Sequence, residues 1–206
     1  MSKWSVVILS LLLFATTALA QSGSKTWNFD SEKAGEVPSG FNPVVGEWKT
    51  VPDSTAISHH ALAQVARNSG STFNLILVSD TSYKDVDVSV AMKAAAGKED
   101  QGGGLVWRAK DAENYYVARF NPLEDNYNLY KVEDGRRSQI EGTKIQARPG
   151  WHALRVTMNG NHIECYFDGK KVMDAKDSTF TDPGKIGLWT KSDAQTHFDK
   201  LTVNVG

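Results

Sequence analysis

Cysteine is almost missing: the 206 residues hold one, Cys165. An intrachain disulfide framework is therefore excluded, and so is a metal site built from cysteines. Charge of one sign is missing too, because 23 Lys and Arg face 24 Asp and Glu, for a formal net charge of −1. That balance recruits neither nucleic acid nor an anionic membrane. No apolar run after residue 20 approaches spanning length, so no membrane insertion is expected. Helical periodicity is nearly absent over the same stretch. The five histidines are scattered or, at His59-His60, adjacent and aimed to opposite faces of a strand, so no spacing supports a transition metal.

What is present begins with a leader. Lys3 supplies a positive start, Val6 to Ala15 an apolar stretch, and Ala18-Leu19-Ala20 a small-x-small cleavage site before Gln21. Residues 1–20 read as a signal peptide, too short and wrongly flanked to span a bilayer. Export to the periplasm or the extracellular space follows as an expectation. The remainder, residues 21–206, is the usual size of one domain and ample for one core. No linker or low-complexity stretch divides it. Loss of Lys3 with the leader takes the net charge from −1 to −2.

Strand alternation fills this remainder. Thr26 to Asp30, Glu47 to Val51, Ala61 to Val65, Phe73 to Val78 and Asp85 to Met92 come first. Then follow Gly104 to Arg108, Asn114 to Asn121, Asn126 to Glu133, Trp151 to Met158, His162 to Phe167, Lys171 to Ala175, Lys185 to Lys191 and His197 to Val205. Asp134-Gly135 and Asp168-Gly169 are hairpin turns between such runs. Many short strands with Gly, Asn and Asp turns predict an all-β, two-sheet antiparallel sandwich or jelly roll with almost no helix.

Two neighbouring strands carry the most information. In a strand, residues i and i+2 share a face. Leu105 and Trp107, with Tyr116, Ala118 and Phe120, form an apolar set suited to a core. Val106 and Arg108, with Tyr115, Val117 and Arg119, present guanidinium groups and a phenol on the opposite face. Leu154, Val156, Cys165, Phe167, Ile186 and Leu188 join the expected core, Cys165 as a small buried hydrophobe. The glycines Gly102 to Gly104 precede a strand, which rules out a phosphate-binding loop and points to close packing or a bulge.

At these residues the chain resembles the concanavalin A-like, laminin-G-like jelly rolls of secreted bacterial proteins, and within them the 3-keto-disaccharide hydrolase domain family. The resemblance rests on Trp27-Asn28-Phe29-Asp30, Pro38-Ser39-Gly40-Phe41, Gly46-Glu47-Trp48, Gly104-Leu105-Val106-Trp107-Arg108, Asn114-Tyr115-Tyr116, Gly150-Trp151-His152-Ala153-Leu154-Arg155-Val156, Tyr166-Phe167-Asp168-Gly169, Gly184-Lys185-Ile186-Gly187-Leu188-Trp189-Thr190 and Phe198-Asp199. It implies two curved sheets with carbohydrate on the concave one. The concave candidates are then Arg108, Tyr115, Arg119, Asn121, Asn128, Tyr130, Trp189 and Lys191. Aromatic faces suit the C–H face of a pyranose, and Arg and Asn suit hydroxyls or a uronate carboxylate. Arg119→Ala is expected to weaken such binding about ten- to a hundredfold with little loss of stability. Asp30 and Asp199, each after a phenylalanine near a chain end, are the candidates for a structural calcium; no other cofactor is expected.

The expected function is recognition of a glycan. Hydrolysis of a glycoside or keto-sugar, which the family name implies, and protein interaction are the alternatives. A glycosidase needs two carboxyls straddling the bond. Asp85-x-Asp87 is an ordinary solvated strand face, and Glu124 and Asp193 are single acids in loops near the expected site.

Overall fold

The computed structural model describes residues 23–205; the leader lies outside them. The alternation becomes strands almost throughout, and fifteen are described, with no helix among them. They are β1 (Gly23–Trp27), β2 (Phe41–Val45), β3 (Trp48–Pro52), β4 (His60–Gln64), β5 (Phe73–Val78), β6 (Val86–Ala96), β7 (Gly103–Ala109) and β8 (Tyr115–Asn121). The chain continues as β9 (Asn126–Glu133), β10 (Arg136–Lys144), β11 (Trp151–Asn159), β12 (His162–Phe167), β13 (Lys170–Lys176), β14 (Lys185–Lys191) and β15 (Gln195–Val205).

Two antiparallel sheets form the jelly roll. One has eight strands, ordered β13-β12-β11-β6-β15-β4-β3, with β1 also on β15. The other has seven, ordered β10-β9-β8-β7-β14-β5-β2. Non-neighbours in sequence pair repeatedly, so the sheets are knit by long-range contacts. The first and last described strands meet, since Gly23 pairs with Val205 and Trp27 with Leu201. The Asp134-Gly135 and Asp168-Gly169 turns have positive φ at both residues (50° and 74°, 47° and 79°), as two-residue type I′ hairpins require.

The core lies between the sheets and follows the expected facing. Val86, Val88, Val90, Met92, Leu154, Val156, Cys165 and Phe167 meet Leu105, Trp107, Tyr116, Phe120, Ile186 and Leu188, and all are buried. Trp107 stacks on Tyr116 with ring centroids 5.6 Å apart, and Phe120 packs on Phe167 at 4.8 Å. Burial pushes the Cys165 thiol far up, so it stays a neutral packing group. The three glycines work by absence of a side chain. A Cβ on Gly104 would lie 1.9 Å from the Ala118 carbonyl oxygen, and one on Gly103 2.7 Å from a Thr196 methyl.

A second apolar cluster forms on the outer face of the seven-stranded sheet. Leu75, Leu77, Val106, Tyr115, Val117, Tyr130, Val132 and Trp189 make it up, with Phe73 and Val45 packed against it. This is the face that the resemblance makes concave.

Candidate functional site

Arg119 stands mid-strand on β8 on that outer face, and its guanidinium is gripped from two sides. Nη2 donates to Asp100 Oδ2 at 2.8 Å, and Nη1 and Nη2 donate to Glu124 Oε2 and Oε1 at 3.0 and 3.2 Å. Asp100 is fully buried, whereas Glu124 keeps about half its side chain in solvent (47%). The Asp100 carboxylate also accepts from the Gly102 amide at 2.6 Å. The loop carrying Asp100 is itself tied down, because Asp193 accepts from the amides of Lys98, Glu99 and Asp100. Gly102 leaves space where a Cβ would come within 2.4 Å of Arg119 Nε. That Nε is buried with no partner among the described residues.

The electrostatics follow from these contacts. Burial opposes the Arg119 charge, but the bonds to Glu124 and the charge of Asp100 outweigh it and hold its pKa above the ordinary value. Glu124 is driven the other way. Hydrogen bonding by Arg119, then Asn126 and the charges of Arg119 and Lys191, bring it down to about 2 against a burial effect that raises it. Glu124 is thus an anion at every physiological pH.

Around this clamp the expected residues divide. Asn128 donates from Nδ2 to the Tyr130 hydroxyl at 2.9 Å, and both side chains border the clamp's strand on β9. Lys191 is half-buried on β14, and its charge is felt by both Glu99 and Glu124. Tyr115 and Trp189 are on the same face but fully buried, with Trp189 Nε1 donating to the Tyr115 hydroxyl at 3.0 Å. Burial pushes the Tyr115 phenol up to about 12. These two rings are packing groups under the face rather than open stacking platforms. Asn121 is buried at the strand end, where Oδ1 accepts from the Leu123 amide at 3.0 Å and closes the β8–β9 turn.

Arg108 does not join the set. A register shift between Lys185 and Gly187 opposite it bulges β7, and Arg108 takes a left-handed φ of 47°. Val106 and Ala109 therefore both lie in the outer cluster, and strict alternation fails between them. The Arg108 guanidinium instead donates to the carbonyls of Lys84, Phe180 and Gly160 at 2.6 to 2.7 Å. It stitches three loops together at the end of the sandwich.

Arg137, on β10, is the residue that pattern reading overlooked. Its guanidinium carbon sits 4.3 Å from the Tyr130 ring centroid, 5.3 Å from Phe73 and 5.7 Å from Trp189. It thus roofs the outer aromatic cluster. Nothing in the polar run Arg136-Arg137-Ser138-Gln139 marks it; only the hairpin after Asp134-Gly135, which pairs Arg137 with Val132, could have placed it.

The metal candidates separate likewise. Asp199 is buried, and its carboxylate accepts from Ser58 N and Oγ and from the Lys200 amide at 2.7 to 3.0 Å. Asp30 is exposed, and its carbonyl lies 3.3 Å from His60 Nδ1. With both Asp199 oxygens committed to protein donors, this pair alone is a poor fit to the six to eight oxygens of calcium. Elsewhere on the eight-stranded sheet, His162, Glu164 and Asp174 bring ligand atoms within 4.8 Å of one another. The Lys171 ammonium bonds both acids at 2.8 Å, so the cluster is already neutralised as an ion-pair network.

Comparison with known proteins agrees with this frame. The chain is 26% identical to the carbohydrate binding module CBM66 from Bacillus subtilis, covering 81% of this chain and 96% of that one, with a TM-score of 0.68. A Bacillus licheniformis β-glucanase shares the fold at 13% identity and a TM-score of 0.60, covering 90% of this chain and all of that one (100%). Among curated proteins, the levanase of Bacillus subtilis (strain 168) is 30% identical over 160 residues, 75% of this chain. The chain spans only 22% of that protein's length. The model of one family matches residues 25–204, nearly every residue whose fold is described above, and the chain belongs to that family, the 3-keto-alpha-glucoside-1,2-lyase-like domain.

Proposed function

We propose that this chain is an exported carbohydrate-binding module that seats a sugar on the outer face of its seven-stranded sheet. The Arg119 clamp carries the reading. A polyhydroxylated ligand needs acceptors and donors fixed close together, and the clamp holds the half-exposed Glu124 carboxylate rigid in the field of Lys191, so it meets a ligand with little ordering cost. Glu124, Asn128, Tyr130 and Lys191 are the contact residues of this reading; Arg119, itself buried, holds Glu124 in place from below, and Tyr115, Asn121 and Trp189 support the face. The match to a module named for carbohydrate binding, along nearly its whole length, adds weight. The leader with Lys3 and Ala18-Leu19-Ala20 supports export to the periplasm or beyond.

Cleavage of a glycoside or keto-sugar is the second reading, and the family description favours it. Acid-assisted glycoside cleavage needs a carboxyl kept protonated to deliver a proton to the leaving group. Glu99, Glu124 and Asp193, the acids around this face with shifted acidity, are all held below the usual range. That leaves binding as the better-supported reading. A protein-interaction role has less support, because the exposed large apolar residues, Val37, Val44, Ile57 and Leu123, belong to different loops and strands.

A glycan array on the purified protein, run beside a screen for released reducing sugar, tests the choice. The expected result is retention of at least one glycan class without turnover. Retention of none would reject the binding reading, and turnover would put cleavage in its place.

A further inference from the structure

Arg137 and Arg119 share the outer face but differ in how their charge is met. Arg119 has two carboxylates within 3.2 Å. Arg137 has aromatic rings beneath it and, among the described residues, a buried Nη1 with no hydrogen-bond partner. A guanidinium nitrogen removed from water without an acceptor is costly, and an arginine usually meets that cost with a carboxylate. Here the aromatic faces of Tyr130, Phe73 and Trp189 hold the group in place by cation–π attraction instead. The residue as a whole stays partly exposed, so solvent can reach the rest of its guanidinium. Its surroundings point the same way. Burial draws its pKa below the ordinary value, and the surrounding charges of Tyr130, Arg119, Asp100 and Glu124 do not restore it. Lys191 adds another cation at the rim of the same face.

We propose that the ligand is an acidic sugar, a uronate, and that Arg137 is the residue that takes its carboxylate. This rests on the reading that a sugar lies on this face, and it names the class of sugar. The planar fork of arginine matches a carboxylate in two-point contact, which a neutral hydroxyl cannot reproduce. Glu124, held by the buried Arg119 and half in solvent, then reads hydroxyls beside it. Rings under the guanidinium hold it rigid, so little side-chain freedom is lost when the carboxylate arrives.

Matched ligands separate charge from shape. Trisaccharides of galacturonate, glucuronate and mannuronate, each with its methyl ester and its neutral hexose counterpart, are titrated calorimetrically into the whole protein, into Arg137→Gln and into Arg137→Lys. At least one uronate should bind, and its ester should bind about ten- to a hundredfold more weakly. Arg137→Gln should bind acid and ester alike, while Arg137→Lys should keep part of the preference for the acid. Both variants should stay folded, with Arg137→Gln melting somewhat below the parent for the cation–π contacts it loses, and the titrations are run below either midpoint. A packing role for Arg137 would not alter the ratio of acid to ester affinity. Tight binding of a neutral member or an ester with no preference for any acid would overturn the inference and leave the sugar reading standing. An acid preference that survives Arg137→Gln would overturn the role of Arg137. No binding of any member would overturn the inference, and the array of neutral glycans would then decide the sugar reading separately.

Discussion

Arg119 shows how a residue can serve a site and the fold together. Removing its side chain would strand the fully buried Asp100 carboxylate without a counter-ion. Breaking one half of a buried pair costs about 3–5 kcal/mol. The expectation that Arg119→Ala spares stability therefore gives way. The variant should unfold at clearly lower urea, and a curve superimposable on the parent would show that the pair is not buried. Glu124 behaves differently because it is half in solvent, where screening keeps ion pairs weak. Its pKa in the folded chain, about 2, lies below the ordinary glutamate value of 4.5. Its contribution is thus fully present above about pH 4.5 and is lost as pH falls toward 2. Melting temperatures of parent and Glu124→Gln, measured from pH 7 down to pH 2.5, should differ most at neutral pH and converge in acid. A gap that widens in acid would contradict the direction of the shift.

Elements were legible in the sequence wherever one face was apolar and the other polar. The strands from Asn126 to Glu133, His162 to Phe167 and Lys185 to Lys191 stand where alternation puts them. The two strands without that signature are β2 and β10, and they are the two edges of the seven-stranded sheet. An edge strand is paired on one side only and needs little apolar alternation, and β2 even carries Pro43, which an edge tolerates. Missing β10 meant missing Arg137. The bulge at Arg108 was hidden for another reason: it depends on the register against β14, which no local pattern encodes. Two substitutions test the element-level account. Phe120→Ala, in the core between the sheets, should cost about 3–5 kcal/mol. Gly104→Ala must push β7 and β8 apart, since its Cβ would meet the Ala118 carbonyl, and should cost about 1–3 kcal/mol. Chemical denaturation reads both, and a neutral result for Gly104→Ala would refute the close strand contact.

At the scale of the molecule, the sandwich is closed by its own ends. β1 lies along the C-terminal half of β15, while β4 takes the other half of the same strand. Because Gly23 and Val205 are partners, joining them through a short linker and opening the chain at the Asp168-Gly169 turn should give a folded permutant. Its far-ultraviolet circular dichroism should match the parent, and loss of the β signal would place the ends apart. Folding of either form should take milliseconds to seconds, as sheets dominated by non-local pairing do.

The pairing of the ends also fixes how the protein responds to tension. Gly23 and Val205 sit at the same end of the β1–β15 ladder, and Trp27 and Leu201 at the other. A force that draws residues 23 and 205 apart therefore loads the backbone bonds one after another, as a zipper opens, and never all together. Gly23 to Trp27 would peel away at low force and leave the rest of the jelly roll standing. The face that carries Arg119 and Arg137 belongs to the opposite sheet, so a pull on the ends reaches the site last.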